Sequence, residues 1–152
     1  VAPTAEYLAR RTLYHHAEHL VESLADVRQD YPRRPLIFVA QSIGGIVVKS
    51  ALIFSSQNPE PNSPARANLL STAGIVFLGT PHKVHGYLNS SPDSVLKKIA
   101  RVSGLNRKIL DHLDEESSAL QSYLEPFTAL SNDISMVGFF ESRGSGTLGL
   151  VS

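Results

Sequence analysis

A chain of 152 residues with 14 basic and 14 acidic side chains has no formal net charge, so it lacks the surplus of positive charge that would argue for binding nucleic acid or an anionic lipid surface. An apolar fraction of 42% and a charged fraction of 18% are those of one globular domain, and 0 Cys excludes disulfides and thiolate metal sites. Its apolar runs are broken by polar residues and fall short of the roughly 20 residues that cross a bilayer, so no transmembrane span is expected.

The chain starts at Val1 with no basic-then-apolar leader, so a targeting peptide is expected to be absent or to lie outside it. From Tyr7 to Arg28, apolar residues recur at Leu13, Ala17, Leu20, Leu24 and Val27, the spacing of an amphipathic helix that Pro32 and Pro35 then stop. The same helix carries His15-His16-Ala17-Glu18-His19, which satisfies His-x-x-Glu-His with two histidines one turn apart. No third ligand is identified, so a solvated helix face is the expected reading and no metal or other cofactor is assigned.

Leu36 to Ala40 is a continuous apolar run of strand length, which suits a buried parallel strand. It gives way at Gln41-Ser42-Ile43-Gly44-Gly45 to a second apolar segment, Gly44 to Phe54, read as a buried helix. Ser55 to Pro64, with three prolines among Ser and Asn, is expected to be a surface loop. Ala73 to Leu78 reads as a second buried strand, ended by Gly79-Thr80-Pro81. Helical periodicity runs over Val95 to Val102, Leu105 to Leu113 and Ser117 to Leu130, and Ile134 to Phe140 reads as a third strand. Asp114-Glu115-Glu116 is expected at a solvated helix start. Residues 1–141 are assigned to one partial domain and 142–152 to a flexible tail rich in Gly and Ser. This order implies an α/β fold, a parallel sheet with helices on both faces in three αβα layers.

A buried strand that breaks at a serine and restarts as a helix pushes the hydroxyl out of the sheet, which is how α/β-hydrolases present a nucleophile. Gly44, two residues after Ser42, is expected to keep a side chain off the strand, and Ala40, two before, is nearly as small. The Ile43 N–H at the helix start is placed to donate to an oxyanion, helped by the positive end of the helix dipole. A serine hydroxyl also needs a histidine to take its proton and a carboxylate to orient that histidine.

Arg34 to Lys49, with Gln41-Ser42-Ile43-Gly44-Gly45 at its centre, resembles the nucleophile segment of one α/β-hydrolase branch. That branch includes serine-active-site-containing proteins and lipase-like domains of NACHT or ankyrin signalling proteins. Gly74 to His82 and Val137 to Glu141 look like its second and third strand motifs, in the same order. The resemblance implies a lipase- or esterase-like fold with Ser42 as nucleophile and Glu141 as acid, and it places Gln41 and His82 beside the substrate. It also implies an ester, lipid or thioester substrate and an intracellular setting, whether cytoplasm, mitochondrion or endoplasmic reticulum. The chain departs from the family at Ala40, at Gln41, where the family has histidine, and at Lys83-Val84-His85.

In this fold the base follows the acid, and no histidine follows Glu141. A truncated domain with little hydrolase activity is therefore expected, with missing domains or a protein partner supplying the rest. His82 and His85 follow the second strand and are the substitute bases within the sequence, whereas Asp133 lies at the wrong end of the third strand. The alternative reading is a non-catalytic, hydrolase-derived interaction module of a signalling protein. Gly44-Gly45 has neither the spacing nor the lysine of a phosphate loop.

Overall fold

The computed structural model describes residues 5–80, 122, 124–143 and 147–149. The first helix, α1 (Ala5–Val27), buries Leu13, Ala17 and Val21, spaced four apart along one stripe. Ala17 and Val21 meet Ala51 of the next helix, and the small side chains let the two backbones come close. Val27, expected on this face, is 85% exposed. The inward position at the helix end goes instead to Arg28, whose guanidinium donates to the carbonyls of Pro32 and Arg34 and so fixes the proline-bearing turn.

Strand β1 (Leu36–Gln41) is followed by α2 (Gly44–Ser56), in which nine residues are buried. The expected loop from Ser55 to Pro64 is shorter than the prolines imply, since α2 runs through Ser56 and a further helix, α3 (Pro64–Ser71), starts at the last proline. Proline at the first helical position loses no intrahelical hydrogen bond, and the Ser63 hydroxyl caps the turn by accepting from the Arg66 N–H at 3.2 Å. The Arg66 side chain donates to the carbonyls of Ser56 at 3.0 Å and Asn58 at 3.3 Å, closing the loop between the helices.

Strand β2 (Thr72–Leu78) pairs in parallel with β1, and β3 (Ser135–Arg143) pairs in parallel with β2. A short helix, α4 (Pro126–Leu130), and a 3-10 turn over Ser131–Asp133 lead into β3. A fourth strand, β4 (Thr147–Gly149), pairs antiparallel with β3, so the sheet order is β1-β2-β3-β4. Residues 142–143 of the expected tail therefore finish β3, and 147–149 form a strand of their own. The helices expected over 95–102 and 105–113, and most of that over 117–130, lie outside the described residues. The architecture is α/β, a parallel three-strand sheet with helices, as in a partial αβα fold.

The core gathers Ala40, Val48, Leu52, Ile53, Ile75, Phe77, Phe127 and Ile134, from β1, α2, β2, α4 and the residue just before β3. Each large apolar side chain hidden here stabilises the fold by about 1.5–3 kcal/mol relative to leaving it in water. The described helices sit on the face that carries Phe38, Ala40, Ile75 and Phe77. On the opposite face Ile37, Val39 and Val137 are exposed, and Val39, Val76 and Val137 form one row across the three parallel strands. Paired registers place Gln41, Leu78 and Phe139 side by side, so the segments after β1 and β2 and the last residues of β3 emerge at one end of the sheet.

Candidate active site

At that end the chain turns from strand to helix within two residues. Gln41 closes β1, Ser42 adopts φ +50°, and Ile43 is already helical at φ −62°. Ser42 is the one non-glycine residue with positive φ among the described residues. A side chain in this left-handed region costs about 1–3 kcal/mol and persists only where its surroundings over-determine it. The Ser42 residue is half-buried, and no described group hydrogen-bonds its hydroxyl.

The surroundings that hold it come from β2. The Ser42 N–H donates to the Leu78 carbonyl at 2.8 Å, and the Thr80 hydroxyl donates to the Ser42 carbonyl at 2.9 Å. Between those two tethers Gly79, at φ +61°, turns the chain, and its N–H donates to the Phe139 carbonyl of β3 at 2.7 Å. Glycine is required there because the left-handed conformation carries no Cβ penalty for it. All three parallel strands thus contribute to fixing one serine.

The steric role expected of Gly44 belongs to Gly45. A Cβ on Gly44 would meet nothing within 4 Å, whereas one on Gly45 would lie 2.3 Å from Thr80 Oγ1 and 2.8 Å from Thr80 Cβ. Thr80 is fully buried, so it has no room to withdraw. Sequence reasoning read Gly-Thr-Pro only as a strand terminator and missed Thr80. Its signal was a β-branched residue with a hydroxyl, placed between a glycine and a proline at a strand end.

Helix α2 has no side-chain cap and no acidic residue in its first turn. The Ile43 N–H has no acceptor among the described residues, so this donor and the positive helix end both remain available beside Ser42. Gln41 is exposed next to it, paired with Leu78. Glu141 lies on β3 two positions beyond Phe139, at the same end of the sheet, and pairs with Leu148 of β4. Asp133 is in the turn before β3, at the opposite end. His82 and His85 lie outside the described residues.

Beneath the elbow Lys49 of α2 is only 6% exposed, with its ammonium over the rings of Phe77 at 5.4 Å and Phe127 at 5.5 Å. Burial pushes its pKa below the ordinary 10.5. On α1 His15 faces Glu18 at 3.9 Å and His19 Nδ1 lies 3.4 Å from the Ser23 hydroxyl. Among the described residues no third ligand group joins them. No helix among the described residues is long and apolar enough to cross a membrane.

A parallel sheet carrying a left-handed serine between strand and helix defines an α/β domain of hydrolase-like build. In sequence the chain is similar to Protein SERAC1 of Mus musculus, 29% identical over 118 residues, which is 72% of this chain and 16% of that protein. It is likewise similar to Protein SERAC1 of Danio rerio, 34% identical over 77 residues, 51% of this chain and 10% of that protein. The Bos taurus protein of the same name is 31% identical over 100 residues, 66% of this chain and 14% of its own length. The chain thus spans 10–16% of these curated relatives. No family model matches, and no solved structure matches.

Proposed function

We propose that this chain is the nucleophile-bearing part of a serine ester hydrolase of lipase or esterase type, acting on an ester, lipid or thioester. The observation that carries the proposal is Ser42 at φ +50° between β1 and α2, a strained conformation held by hydrogen bonds to Leu78 and Thr80. In this reading the Ser42 hydroxyl adds to the substrate carbonyl, its proton passes to a histidine, and the leaving alcohol or thiol departs with a proton from that histidine. The negative charge that develops on the carbonyl oxygen is met by the Ile43 N–H and the start of α2. Glu141 orients the histidine, and Gln41 and His82 line the approach. The base in this reading is a histidine of the segment holding His82 and His85, or one outside these 152 residues. The partial hydrolase domain takes in β3 and β4, in an intracellular protein.

A fluorophosphonate probe tests this directly. Covalent labelling of the wild-type chain that disappears in Ser42→Ala supports a reactive serine. Failure of both this chain and a longer form extending past Ser152 to label sinks the enzyme reading. The alternative reading is a hydrolase-derived module that binds a protein partner without catalysis. That reading expects no labelling in either form.

A further inference from the structure

We propose that Thr80 is a positioning residue that aims the Ile43 N–H at the oxyanion. The argument runs through one peptide plane. The Ser42 carbonyl and the Ile43 N–H belong to the same planar trans unit, so they point in opposite directions and cannot turn independently. The Ser42 carbonyl accepts two hydrogen bonds, from Thr80 Oγ1 at 2.9 Å and from the Gly45 N–H at 3.2 Å. Two donors occupy both lone pairs, and they hold that oxygen toward Thr80 and the first turn of α2. The Ile43 N–H is thereby held toward the opposite side, where no acceptor among the described residues competes for it.

Rotation of this plane moves ψ of Ser42 and φ of Ile43 while disturbing little else, so it is the cheapest way for the Ile43 N–H to lose its aim. Among the described residues, loss of the Thr80 hydrogen bond removes the one tether to the Ser42 carbonyl that comes from outside its own turn. The Thr80 side chain is fully buried and packed on Gly45, so the hydroxyl is itself pre-aimed. Its catalytic consequence rests on Ser42 being the nucleophile; its structural consequence does not.

The experiment uses the full chain as wild type, Thr80→Ser, Thr80→Val and Thr80→Ala, with two readouts. The first is the Ile43 amide resonance and its hydrogen-exchange rate by NMR. The second is the rate of Ser42 labelling by a fluorophosphonate. Thr80→Ser keeps the hydroxyl and is expected to hold the Ile43 resonance in place and to label within about twofold of wild type. Thr80→Val keeps the volume and is expected to shift that resonance, speed exchange and slow labelling about tenfold, the worth of one hydrogen bond. If Thr80→Val does not fold, Thr80→Ala against Thr80→Ser isolates the hydroxyl instead. An Ile43 amide that is the same with and without the hydroxyl overturns the proposal. If neither this chain nor a form extending past Ser152 labels, only the nucleophile reading fails, and the amide comparison still decides the role of Thr80.

Discussion

Gly45 lies so close to Thr80 that a methyl group on it would sit 2.3 Å from the threonine hydroxyl oxygen. The contact joins the first turn of α2 to the segment leaving β2, and it makes neighbouring glycines unequal. Gly45→Ala is expected to destabilise the fold by about 1–3 kcal/mol through overpacking. Gly44→Ala, which meets nothing, is expected to be neutral or stabilising by up to about 1 kcal/mol through helix propensity. Urea denaturation of the two variants checks this; equal effects would show that the contact is absent in solution.

Ser42→Gly is expected to abolish any labelling while raising stability by about 1 kcal/mol. Relief of the left-handed conformation outweighs the extra freedom glycine gains in the unfolded chain. A melting temperature below that of wild type would mean that Ser42 is unstrained.

Ser50 and Ser55 are both fully buried on α2, and neither hydroxyl has a hydrogen-bond partner among the described residues. Each gives up hydration for nothing, so Ser50→Ala and Ser55→Ala are expected to stabilise by about 1 kcal/mol apiece. Chemical denaturation that finds either variant weaker than wild type would show that its hydroxyl is satisfied.

Lys49 makes stability depend on alkaline pH. Burial lowers its folded pKa below 10.5, so between that lowered value and 10.5 the unfolded chain holds more protons and stability rises with pH. Below the window the folded state keeps a buried ammonium, which the rings of Phe77 and Phe127 stabilise only in part. Lys49→Met is expected to flatten this rise, measured as the difference in denaturation midpoint between wild type and variant from pH 8 to 10.5. Parallel profiles would show that the side chain reaches water.

The strand, serine and helix were legible in sequence because the evidence for them is local: an apolar run, a break at Ser42 and another apolar run. Strands β2 and β3 were read the same way, each within two residues of its observed start. What local pattern could not supply was the partner of each backbone group. Gly44 looked like the critical glycine from its distance to Ser42, and only the arrival of Thr80, 38 residues after the serine, moves that role to Gly45. Helix α3 escaped because Pro64 was counted with the loop prolines, although Ser63 before it is a cap signal. Strand β4 lies in a segment whose composition favours irregular structure, and pairing with β3 overrides that preference. The acid remains an inference from register, since Glu141 is placed by its position on β3.

The tethers on Ser42 also set an order of events in synthesis. Strand β1 and helix α2 are complete once residue 56 has been made, but both groups that hold the bend come from Leu78 and Thr80. A nascent chain that has not yet released those residues from the ribosome keeps only the Gly45 hydrogen bond within the turn, which does not offset a left-handed serine, and it relaxes there. The sharp bend is therefore acquired only when the second strand docks, which makes it a marker of finished sheet assembly.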